Sequence, residues 1–428
     1  MYGRESHSYS AGRETPLQKD TIRMTSFTEM PLAAELQQRM AAANFIQPTP
    51  VQAETIPQAI AGKDIMCTAQ TGTGKTLAFL VPIIEAQLKS RAENHGTKSH
   101  PTVETLILVP TRELAMQVHE QYEALRGKSL KPAALVIGGV PEKRQIESLR
   151  SGATMIVATP GRLEDFLSRR LTDVRYVKIL ILDEADKMLD MGFLPSIRRI
   201  VGQLPTQRQT MCFSATLEAS VAGLVNDCMR NPVRVAMGSI LKPAESVDLQ
   251  AFEVPAMGKS DVLRHLLYAE KGQTLVFART KRGTERIAKS LVRDGFSAAM
   301  IHGDRSQGQR VSALNGFDEG QYKILVATDV ASRGIHVNNV AHVINYDLPT
   351  LPEDFIHRVG RTGRAGARGL ASTIVSGAEV VELRHIERAL KLRIERKTIE
   401  ENGFVRPVRA ASMMRSRTLT PLPGEIFT

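Results

Sequence analysis

The sequence is poor in aromatic side chains and in cysteine. Its 428 residues include 13 Phe and 7 Tyr but no Trp, whereas a protein that binds single-stranded nucleic acid by base stacking usually carries more aromatic residues. If the chain binds nucleic acid, we therefore expect contacts to phosphates and sugars. The three cysteines, Cys67, Cys212 and Cys228, form no Cys-x-x-Cys pair and no zinc-ligand spacing. This excludes a disulfide-stabilised fold, and we expect a reducing compartment in which Cys67 and Cys212 are small buried side chains.

Long hydrophobic runs are also absent. A run such as Leu77–Ile84 is far shorter than the roughly 20 apolar residues of a membrane-spanning helix, and the first thirty residues lack the apolar stretch of a signal peptide. We therefore expect a cytoplasmic protein. The 56 Lys and Arg residues outnumber the 45 Asp and Glu residues, which gives a net charge of +11. This excess favours a polyanionic partner, and because the sequence has no amphipathic anchor, we expect nucleic acid rather than a membrane.

Short β-branched runs alternate with amphipathic segments along most of the chain. The runs are 64–68, 105–109, 134–137, 154–158, 177–182 and 210–213 in the first half, and 274–277, 298–301, 323–327, 342–345 and 371–375 in the second. Apolar strands that alternate with helical segments are typical of an α/β fold, in which helices cover both faces of a parallel sheet. Ligands of such sheets bind beyond the carboxyl ends of the strands. Residues that follow the strands are therefore the first candidates for a site.

The alternation lapses between Met237 and Lys259, where Gly, Pro, Ser and Lys residues gather. Such a stretch is typical of a linker, so we place a domain boundary there. The predicted boundaries are 1–26 for a disordered N-terminal segment, 27–238 for a first domain, 239–258 for the linker, 259–395 for a second domain and 396–428 for a basic tail that is also expected to be disordered.

A glycine-rich segment follows the first predicted strand and precedes a helical pattern. It reads Ala69-Gln70-Thr71-Gly72-Thr73-Gly74-Lys75-Thr76 and is typical of a phosphate-binding loop, with Ala69 where the general pattern has its first glycine. Glycines allow backbone N–H groups to close around phosphates, and the N-terminus of the following helix favours an anion. We predict that Gly72, Thr73 and Gly74 bind the phosphates. Lys75 would reach the β- and γ-phosphates, and the Thr76 hydroxyl would ligate Mg²⁺.

Acidic residues follow the apolar strand predicted near residue 182. They form the segment Asp183-Glu184-Ala185-Asp186, at a place where nucleoside triphosphatases hold magnesium. Asp183 would bind the ion, and Glu184 would polarise the attacking water. Acidic residues also cap helices, but the phosphate loop upstream favours hydrolysis of ATP or GTP.

Further segments at strand ends complete an ordered set. They are Pro110-Thr111-Arg112-Glu113-Leu114-Ala115, Gly138-Gly139, Thr159-Pro160-Gly161-Arg162, Ser214-Ala215-Thr216, Val276-Phe277-Ala278-Arg279-Thr280, Gln307 to Arg310, Thr328-Asp329-Val330-Ala331-Ser332-Arg333-Gly334 and His357-Arg358-Val359-Gly360-Arg361-Thr362-Gly363-Arg364. With the two motifs above, this set closely resembles the DEAD-box ATP-dependent RNA helicases from about Phe27 to about Arg393. The short flanks are similar to those of a bacterial member of the RhlE-like group.

The resemblance implies two tandem RecA-like parallel-sheet domains with a cleft between them. It also implies an ATP-dependent RNA helicase that hydrolyses ATP on binding RNA and locally unwinds short duplexes or remodels RNA–protein complexes. The implied cofactors are ATP and Mg²⁺. The implied partner is RNA, contacted along its backbone with little sequence specificity. We further expect a monomer that works with ribosome-assembly or RNA-decay proteins.

The resemblance assigns roles around the nucleotide. Phe27 stands where the family packs a ring against adenine, and Gln52 matches the family's adenine-sensing amide, which can pair with N7 and N6 of adenine in a way that guanine cannot satisfy. Arg361 and Arg364 match arginine fingers that stabilise charge on the γ-phosphate. The residues implied to couple domain closure to the nucleotide state are Asp186, Ser214, Thr216 and His357.

The resemblance also implies a track for the RNA backbone. Its residues are Thr111, Arg112, Gly139, Thr159, Arg162 and Asp165 in the first domain and Arg310 and Thr328 in the second. Small residues let a sugar–phosphate chain approach closely, and arginines bind phosphates bidentately. Asp165 is a candidate acceptor for the 2′-OH, the group that distinguishes RNA from DNA.

Two positions depart from the family's usual pattern. Asn44 stands where the family usually has glycine, a change that a turn tolerates because Asn also adopts the left-handed conformation. His336 stands where the family usually has an aspartate near the ribose. This histidine removes a fixed acceptor and adds a group that titrates near pH 6.5. We expect it to weaken ATP-dependent closure and to make that closure depend on pH.

The residues leave alternatives to an unwinding enzyme. An ATP-gated RNA clamp, whose purpose is to stay bound, would use the same side chains. A DNA helicase or translocase is a third possibility, which the combination of Gln52 with Asp183–Asp186 disfavours. A metal-dependent nuclease would need a second carboxylate cluster, which the sequence lacks.

Overall fold

Two parallel sheets, each flanked by helices, follow one another along the chain. The computed structural model describes residues 26–69, 72–93, 102–216, 219–237, 246–329, 340–363, 368–399 and 405–407. We call the first sheet with its helices the first domain and the second sheet with its helices the second domain. This architecture confirms the predicted α/β fold with tandem RecA-like domains.

The sheet of the first domain has seven strands that all pair in parallel. They are β1 (Ile65–Thr68), β2 (Thr105–Leu108), β3 (Ala134–Val136), β4 (Met155–Ala158), β5 (Ile179–Leu182), β6 (Gln209–Ser214) and β7 (Val233–Ala236). Their spatial order is β3-β4-β2-β5-β6-β1-β7. Strand β6 pairs with both β1 and β5, so that Thr68 lies opposite Ser214 and Leu182 opposite Cys212. The segments that leave β1, β5 and β6 therefore meet at one edge of the sheet.

Nine helices and one 3₁₀ turn are described in the first domain. They are α1 (Ala34–Ala42), α2 (Pro50–Ile60), α3 (Lys75–Glu93), α4 (Arg112–Arg126), α5 (Glu142–Arg150), α6 (Pro160–Ser168), α7 (Ala185–Asp190), α8 (Leu194–Val201) and α9 (Ala219–Cys228), preceded by a 3₁₀ turn at Phe27–Glu29. Helix α4 starts where the Thr111 hydroxyl accepts a hydrogen bond from the Leu114 N–H at 3.3 Å. The capping residue of α4 is thus also a predicted RNA contact.

The sheet of the second domain has eight strands. They are β8 (Val247–Glu253), β9 (Thr274–Phe277), β10 (Ala298–Ile301), β11 (Ile324–Ala327), β12 (His342–Asn345), β13 (Gly369–Val375), β14 (Glu395–Ile399) and β15 (Val405–Pro407). Their order is β10-β11-β9-β12-β13-β8-β14-β15, with β14 and β15 antiparallel and the other pairs parallel. The flanking helices are α10 (Lys259–Ala269), α11 (Lys281–Arg293), α12 (Gln307–Asp318), α13 (Pro352–Val359) and α14 (Glu379–Leu390).

Each sheet separates two hydrophobic cores. In β2, Ile107 points into one core, and its neighbours Leu106 and Leu108 point into the other, all fully buried. Strand β9 divides its side chains in the same way, with Val276 on one face and Phe277 on the other. A sheet that is buried on both faces needs apolar residues at consecutive positions, which is why its strands were recognisable in the sequence.

Four strands were missed by sequence analysis, since their burial is interrupted or their side chains are charged. Strand β8 lies in the stretch expected to be the linker, where it pairs with β13 over its full length. Strand β14, of sequence Glu-Arg-Lys-Thr-Ile, and strand β15 lie at or beyond the expected start of the tail. Strand β7 alternates between buried and exposed residues. The linker and tail intervals therefore contain strands of the second sheet, while residues 1–25 and 408–428 lie outside the described residues.

The cysteine prediction is confirmed. Cys67, Cys212 and Cys228 are all free and buried, and burial raises the pKa of the Cys67 thiol to about 11. In the described part of the chain, no helix has the length and apolar character needed to cross a bilayer.

Candidate active site and nucleic-acid interface

The glycine-rich segment forms a loop that closes on the first lysine of α3. Gly72 and Gly74 have positive φ angles of 86° and 91°, a conformation that favours glycine. The Lys75 ammonium, 7% exposed, donates a hydrogen bond to the Ala69 carbonyl at 2.9 Å. The lysine is therefore held inside the loop, at the N-terminus of α3, where a phosphate group would meet it. Residues 70 and 71 lie outside the described residues.

The start of α2 is fastened to this loop through Gln52. The Gln52 side-chain oxygen accepts from the Thr49 N–H at 2.9 Å, and its nitrogen donates to the Gly74 carbonyl at 3.0 Å. The Thr49 hydroxyl donates to the Thr73 carbonyl at 2.8 Å. A Cβ at Gly74 would lie 2.3 Å from the Gln52 nitrogen, so this close approach requires glycine. Because an amide has two N–H groups and its oxygen two lone pairs, Gln52 can hold the loop and still pair with adenine.

A cavity of about 280 Å³, which we call the phosphate-loop cavity, opens beside these residues. It is lined by Phe45, Gln47, Thr49, Gln52, Gly72, Gly74, Lys75, Thr76, Leu77, Leu114, Gln121, Asp183 and Glu184. The structure thus brings together the predicted loop residues, the adenine-sensing amide and two predicted carboxylates.

Phe45 lines this cavity, whereas Phe27, which is predicted to pack against adenine, is not among the lining residues. Phe27 is 3% exposed and belongs to the hydrophobic core, with its N–H bonded to the Ile46 carbonyl at 3.3 Å. The sequence motifs give no role to Phe45, although it lies shortly before the predicted adenine-sensing Gln52. Asn44, the residue before it, has a φ angle of 62°, which confirms the predicted left-handed turn.

Asp183 and Thr76 present oxygen atoms that fit a magnesium ion. Both line the phosphate-loop cavity, and one Asp183 oxygen accepts from the Glu184 N–H at 3.0 Å. Burial raises the pKa of Asp183 to about 7, although the Lys75 ammonium opposes this rise. The described residues hold no group of three or more His, Cys, Asp and Glu side chains arranged to bind a metal. One carboxylate and one hydroxyl suit Mg²⁺, which keeps several waters and shares phosphate oxygens.

Glu184 is an ionised carboxylate in a buried place. It is 5% exposed and has a left-handed backbone with φ 51°. Burial alone would raise the pKa of Glu184, but the nearby cations, led by Lys187, outweigh it and hold the pKa well below its ordinary value. The Lys187 ammonium lies 3.3 Å from the Glu184 carboxylate. An ionised carboxylate of this kind can orient a water and accept its proton.

Two side chains of the second domain act on the same carboxylate. Arg361 and His357 both lower the pKa of Glu184 through their charge. Arg361 is 5% exposed, and burial lowers its pKa while Glu184 raises it. Burial also lowers the pKa of His357, with Lys187 acting in the same direction. The charge of the predicted finger Arg361 therefore acts on the predicted catalytic Glu184, whereas Arg364 and His336 lie outside the described residues.

Asp186 links the acidic motif to the end of β6. One of its oxygens accepts from the N–H groups of Ala215 and Thr216 at 2.8 and 3.1 Å, and the Ser214 hydroxyl also accepts from the Thr216 N–H at 3.3 Å. The predicted coupling residues Asp186, Ser214 and Thr216 thus form one hydrogen-bonded group. The charge of Asp186 raises the pKa of His357, the fourth predicted member, but burial outweighs this effect.

A larger cavity, of about 630 Å³, lies between the two domains, and we call it the interdomain cavity. It is lined by Pro110, Thr111, Arg112, Glu113, Gly138, Glu142, Thr159, Gly161, Arg162, Asp165, Met191, Phe193 and Arg310. Six of the eight predicted RNA contacts are among these residues. Arginines from both domains therefore face one open space at the carboxyl ends of the strands.

Of the other two predicted RNA contacts, Gly139 lies close to the interdomain cavity and Thr328 lies apart from it. Gly139, with φ 72°, adjoins Arg112, since a Cβ there would lie 2.1 Å from the Arg112 guanidinium. Gly139 lines a neighbouring cavity together with residues of α12. Thr328 follows β11, is 7% exposed and donates its N–H to the Ile301 carbonyl at 3.3 Å. The structure thus groups Gly139 with the track and leaves Thr328 at a strand end outside the interdomain cavity.

Glu113 joins the two domains beside the interdomain cavity. Its carboxylate lies 2.9 Å from the Arg310 guanidinium and accepts a hydrogen bond from the Gln307 amide at 3.0 Å. All three residues lie within the sequence motifs, which predict no role for Glu113 or Gln307. Arg310, predicted only as an RNA contact, is also part of this bridge.

The comparisons with known protein families agree with this geometry. Residues 49–224 match the model of the DEAD/DEAH box helicases, and residues 258–366 match that of the helicase conserved C-terminal domain. The DEAD-box ATP-dependent RNA helicase CshA of Geobacillus kaustophilus is 40% identical over 374 residues, which cover 87% of this chain and 78% of that protein.

Two solved structures are similar over most of the chain. S. cerevisiae Dbp5 bound to RNA and ADP BeF3 has a TM-score of 0.77 at 29% identity, covering 87% of this chain and 95% of that one. A DEAD box protein from Methanococcus jannaschii has a TM-score of 0.51 at 38% identity, covering 87% of this chain and 98% of that one. The structural similarity is thus higher for the RNA-bound protein, although its sequence is less similar.

Proposed function

Because this chain belongs to the DEAD-box ATP-dependent RNA helicases, we propose that it hydrolyses ATP on binding RNA and locally unwinds short RNA duplexes or remodels RNA–protein complexes. The observation that carries this proposal is that second-domain side chains act on first-domain residues of both cavities. The charge of Arg361 acts on Glu184, which lines the phosphate-loop cavity, and Arg310 meets Glu113 at the interdomain cavity. Each ligand therefore favours the closed arrangement that the other needs.

In the first domain, the phosphate-loop cavity binds ATP. Gln52 pairs with adenine, Phe45 lies against the base, and Lys75 donates to the phosphates. Asp183 and Thr76 hold Mg²⁺, which supplies neutralisation of the phosphate charge. The ammonium of Lys75 and the N-terminus of α3 add to that neutralisation.

Hydrolysis then needs an oriented water and positive charge that stabilises the transition state. Glu184, ionised and buried, orients a water and accepts its proton while the water oxygen bonds to the γ-phosphorus and the bond to ADP breaks. Arg361 of the second domain stabilises the charge on the transferring phosphoryl group. Since this arginine comes from the other domain, hydrolysis depends on closure.

The interdomain cavity binds the RNA backbone. Arg112, Arg162 and Arg310 face it and suit phosphates, whereas Asp165 suits a 2′-OH. Such contacts carry little sequence information. Closure would bend the bound strand at this place, so that a few base pairs break. The similarity to Dbp5 bound to RNA and ADP BeF3 supports this arrangement of the domains.

We also propose an oligomeric state, a cellular compartment and a class of RNA for this enzyme. We propose a monomer, because the two domains of one chain meet at the interdomain cavity, where Arg310 pairs with Glu113. We propose the cytoplasm, because the three cysteines are free and disulfides are rare there. Structured RNAs of ribosome assembly or RNA decay fit a binder that reads backbone and not sequence.

The test compares ATP hydrolysis without nucleic acid, with single-stranded RNA and with DNA of matched sequence. Strong stimulation by RNA alone is expected, because Asp165 can recognise a 2′-OH. Equal stimulation by DNA would contradict RNA selectivity, and no stimulation by either would contradict the proposal. Strand separation measured beside complex lifetime then separates unwinding from ATP-gated clamping.

A further inference from the structure

A lysine is buried in the second domain, outside both cavities. Lys259 is the first residue of α10, which follows β8, and it is 6% exposed. Its ammonium donates to the Tyr346 carbonyl at 2.9 Å and lies 2.6 Å from the Glu379 carboxylate and 3.8 Å from that of Asp347. It also stands 5.5 Å from the centre of the Tyr346 ring. Removing a lysine from water is costly unless its charge is compensated, and here the turn after β12 and helix α14 supply the compensation.

The turn held by Lys259 is also held by the motif that carries the arginine finger. Tyr346 and Asp347 directly follow β12. The Asp347 carbonyl accepts a hydrogen bond from the Arg358 guanidinium at 2.6 Å, and its carboxylate accepts from the Arg279 N–H at 2.9 Å. The short turn 346–347 is therefore fixed between Lys259 on one side and Arg358 on the other.

Arg358 is the anchor of α13. It is 2% exposed, forms two bonds of 2.5 and 2.6 Å with the Asp329 carboxylate, and lies 4.9 Å from the centre of the Phe277 ring. Its carbonyl accepts the Arg361 N–H at 3.1 Å. The position of the Arg358 side chain thus fixes the end of α13, just beyond which lies Arg361, whose charge acts on Glu184.

We propose that Lys259 is a positioning residue for RNA-dependent ATP hydrolysis, acting through the turn 346–347 and Arg358 on the approach of Arg361 to the γ-phosphate. This inference rests on the proposed function. Lys259 touches neither cavity, so ATP binding to the first domain does not depend on it. Its loss lowers kcat and leaves the KM for ATP unchanged. A small displacement of a group that acts on the transition state costs roughly tenfold to 100-fold in rate, and we expect a loss in this range.

The experiment uses four full-length proteins. They are the wild type, Lys259→Met, the double variant Lys259→Met/Glu379→Gln, and Arg396→Met. The single lysine variant leaves the partly buried Glu379 carboxylate without its cation, whereas the double variant removes both charges and should recover much of the lost Tm. Arg396 is the matched control, because it binds Glu253 and Glu387 in the same domain but does not touch the turn 346–347. Its loss lowers Tm without moving Arg358.

The readouts are Tm, the KM for ATP and the kcat with saturating RNA. We expect both lysine variants to lose kcat at least tenfold at unchanged KM, including the double variant with its recovered Tm, while Arg396→Met keeps the wild-type kcat. Recovery of kcat together with Tm in the double variant would show a merely structural role and overturn the inference, as would an undiminished kcat in Lys259→Met. A wild type without RNA-stimulated hydrolysis would instead overturn the proposed function, and the role of Lys259 with it.

Discussion

Glu113 of the first domain and Arg310 of the second lie 2.9 Å apart, with side chains that are 2% and 9% exposed. Gln307 donates to the same carboxylate at 3.0 Å. Glu113 follows Arg112 at the start of α4, so the helix that presents an arginine to the interdomain cavity also holds the second domain there. Closure and RNA binding therefore share one structural element.

Replacing Glu113 with glutamine tests this bridge. The change removes a negative charge from a cavity proposed to bind RNA, so simple electrostatics predicts tighter RNA binding. If the bridge stabilises closure, the variant should instead lose affinity for RNA by about tenfold in the presence of a non-hydrolysable ATP analogue, since a broken buried ion pair costs more than 1 kcal/mol. Fluorescence anisotropy of labelled RNA, with and without the analogue, measures the two affinities.

Arg162→Met supplies the matched control, because Arg162 lines the interdomain cavity from the first domain alone. It should weaken RNA binding by a similar factor whether or not the analogue is present. A Glu113→Gln protein whose RNA affinity rises under both conditions would refute the bridge.

The bridge between Glu113 and Arg310 is a contact that local sequence patterns do not predict, unlike the strands and the nucleotide-binding motifs. Strands such as β2 and β9 were recognisable because a sheet buried on both faces needs continuous apolar residues, and Lys75, Asp183 and Glu184 were recognisable because their chemistry constrains local spacing. Glu113 and Gln307 are 194 positions apart, so no local sequence pattern predicts their contact. Whether Phe27 or Phe45 lines the phosphate-loop cavity is likewise decided by packing and not by local sequence.

Glu184→Gln should separate binding from hydrolysis. Gln retains the size of the side chain and one acceptor oxygen but cannot accept a proton from water, so we expect at least a 100-fold lower kcat with ATP and RNA still bound. Single-turnover hydrolysis and RNA anisotropy with ATP measure both effects. Rapid turnover in this variant would contradict the role given to Glu184.

Lys75→Ala should impair ATP binding, the step before hydrolysis. The Lys75 ammonium is held in the phosphate loop by the Ala69 carbonyl and supplies positive charge to the phosphates, so its removal weakens ATP binding itself. Titration with a fluorescent ATP analogue should show at least a tenfold higher Kd. RNA binding without nucleotide should stay at the wild-type level, and an unchanged Kd for the analogue would remove Lys75 from the site.

The pKa of Asp183 predicts how magnesium–nucleotide binding varies with pH. Burial raises this pKa from 3.8 to about 7, so the folded protein without ligand holds a proton on Asp183 at lower pH. Because the folded pKa lies above the unfolded one, the stability that this group contributes is complete below about pH 4 and is lost as the pH rises through 7. Mg²⁺ requires the ionised carboxylate, so the metal and the proton compete for Asp183.

We therefore expect the affinity for Mg–ATP to fall by about tenfold for each pH unit below 7 and to level off above it. Calorimetry in two buffers of different ionisation enthalpy should also detect proton release on binding at pH 6.5. Asp183→Asn is the control, because it should bind Mg–ATP weakly and with little change between pH 6 and 8. A wild-type affinity that stays constant over this range, with Mg²⁺ high enough to keep ATP complexed, would show that Asp183 is ionised before the metal arrives.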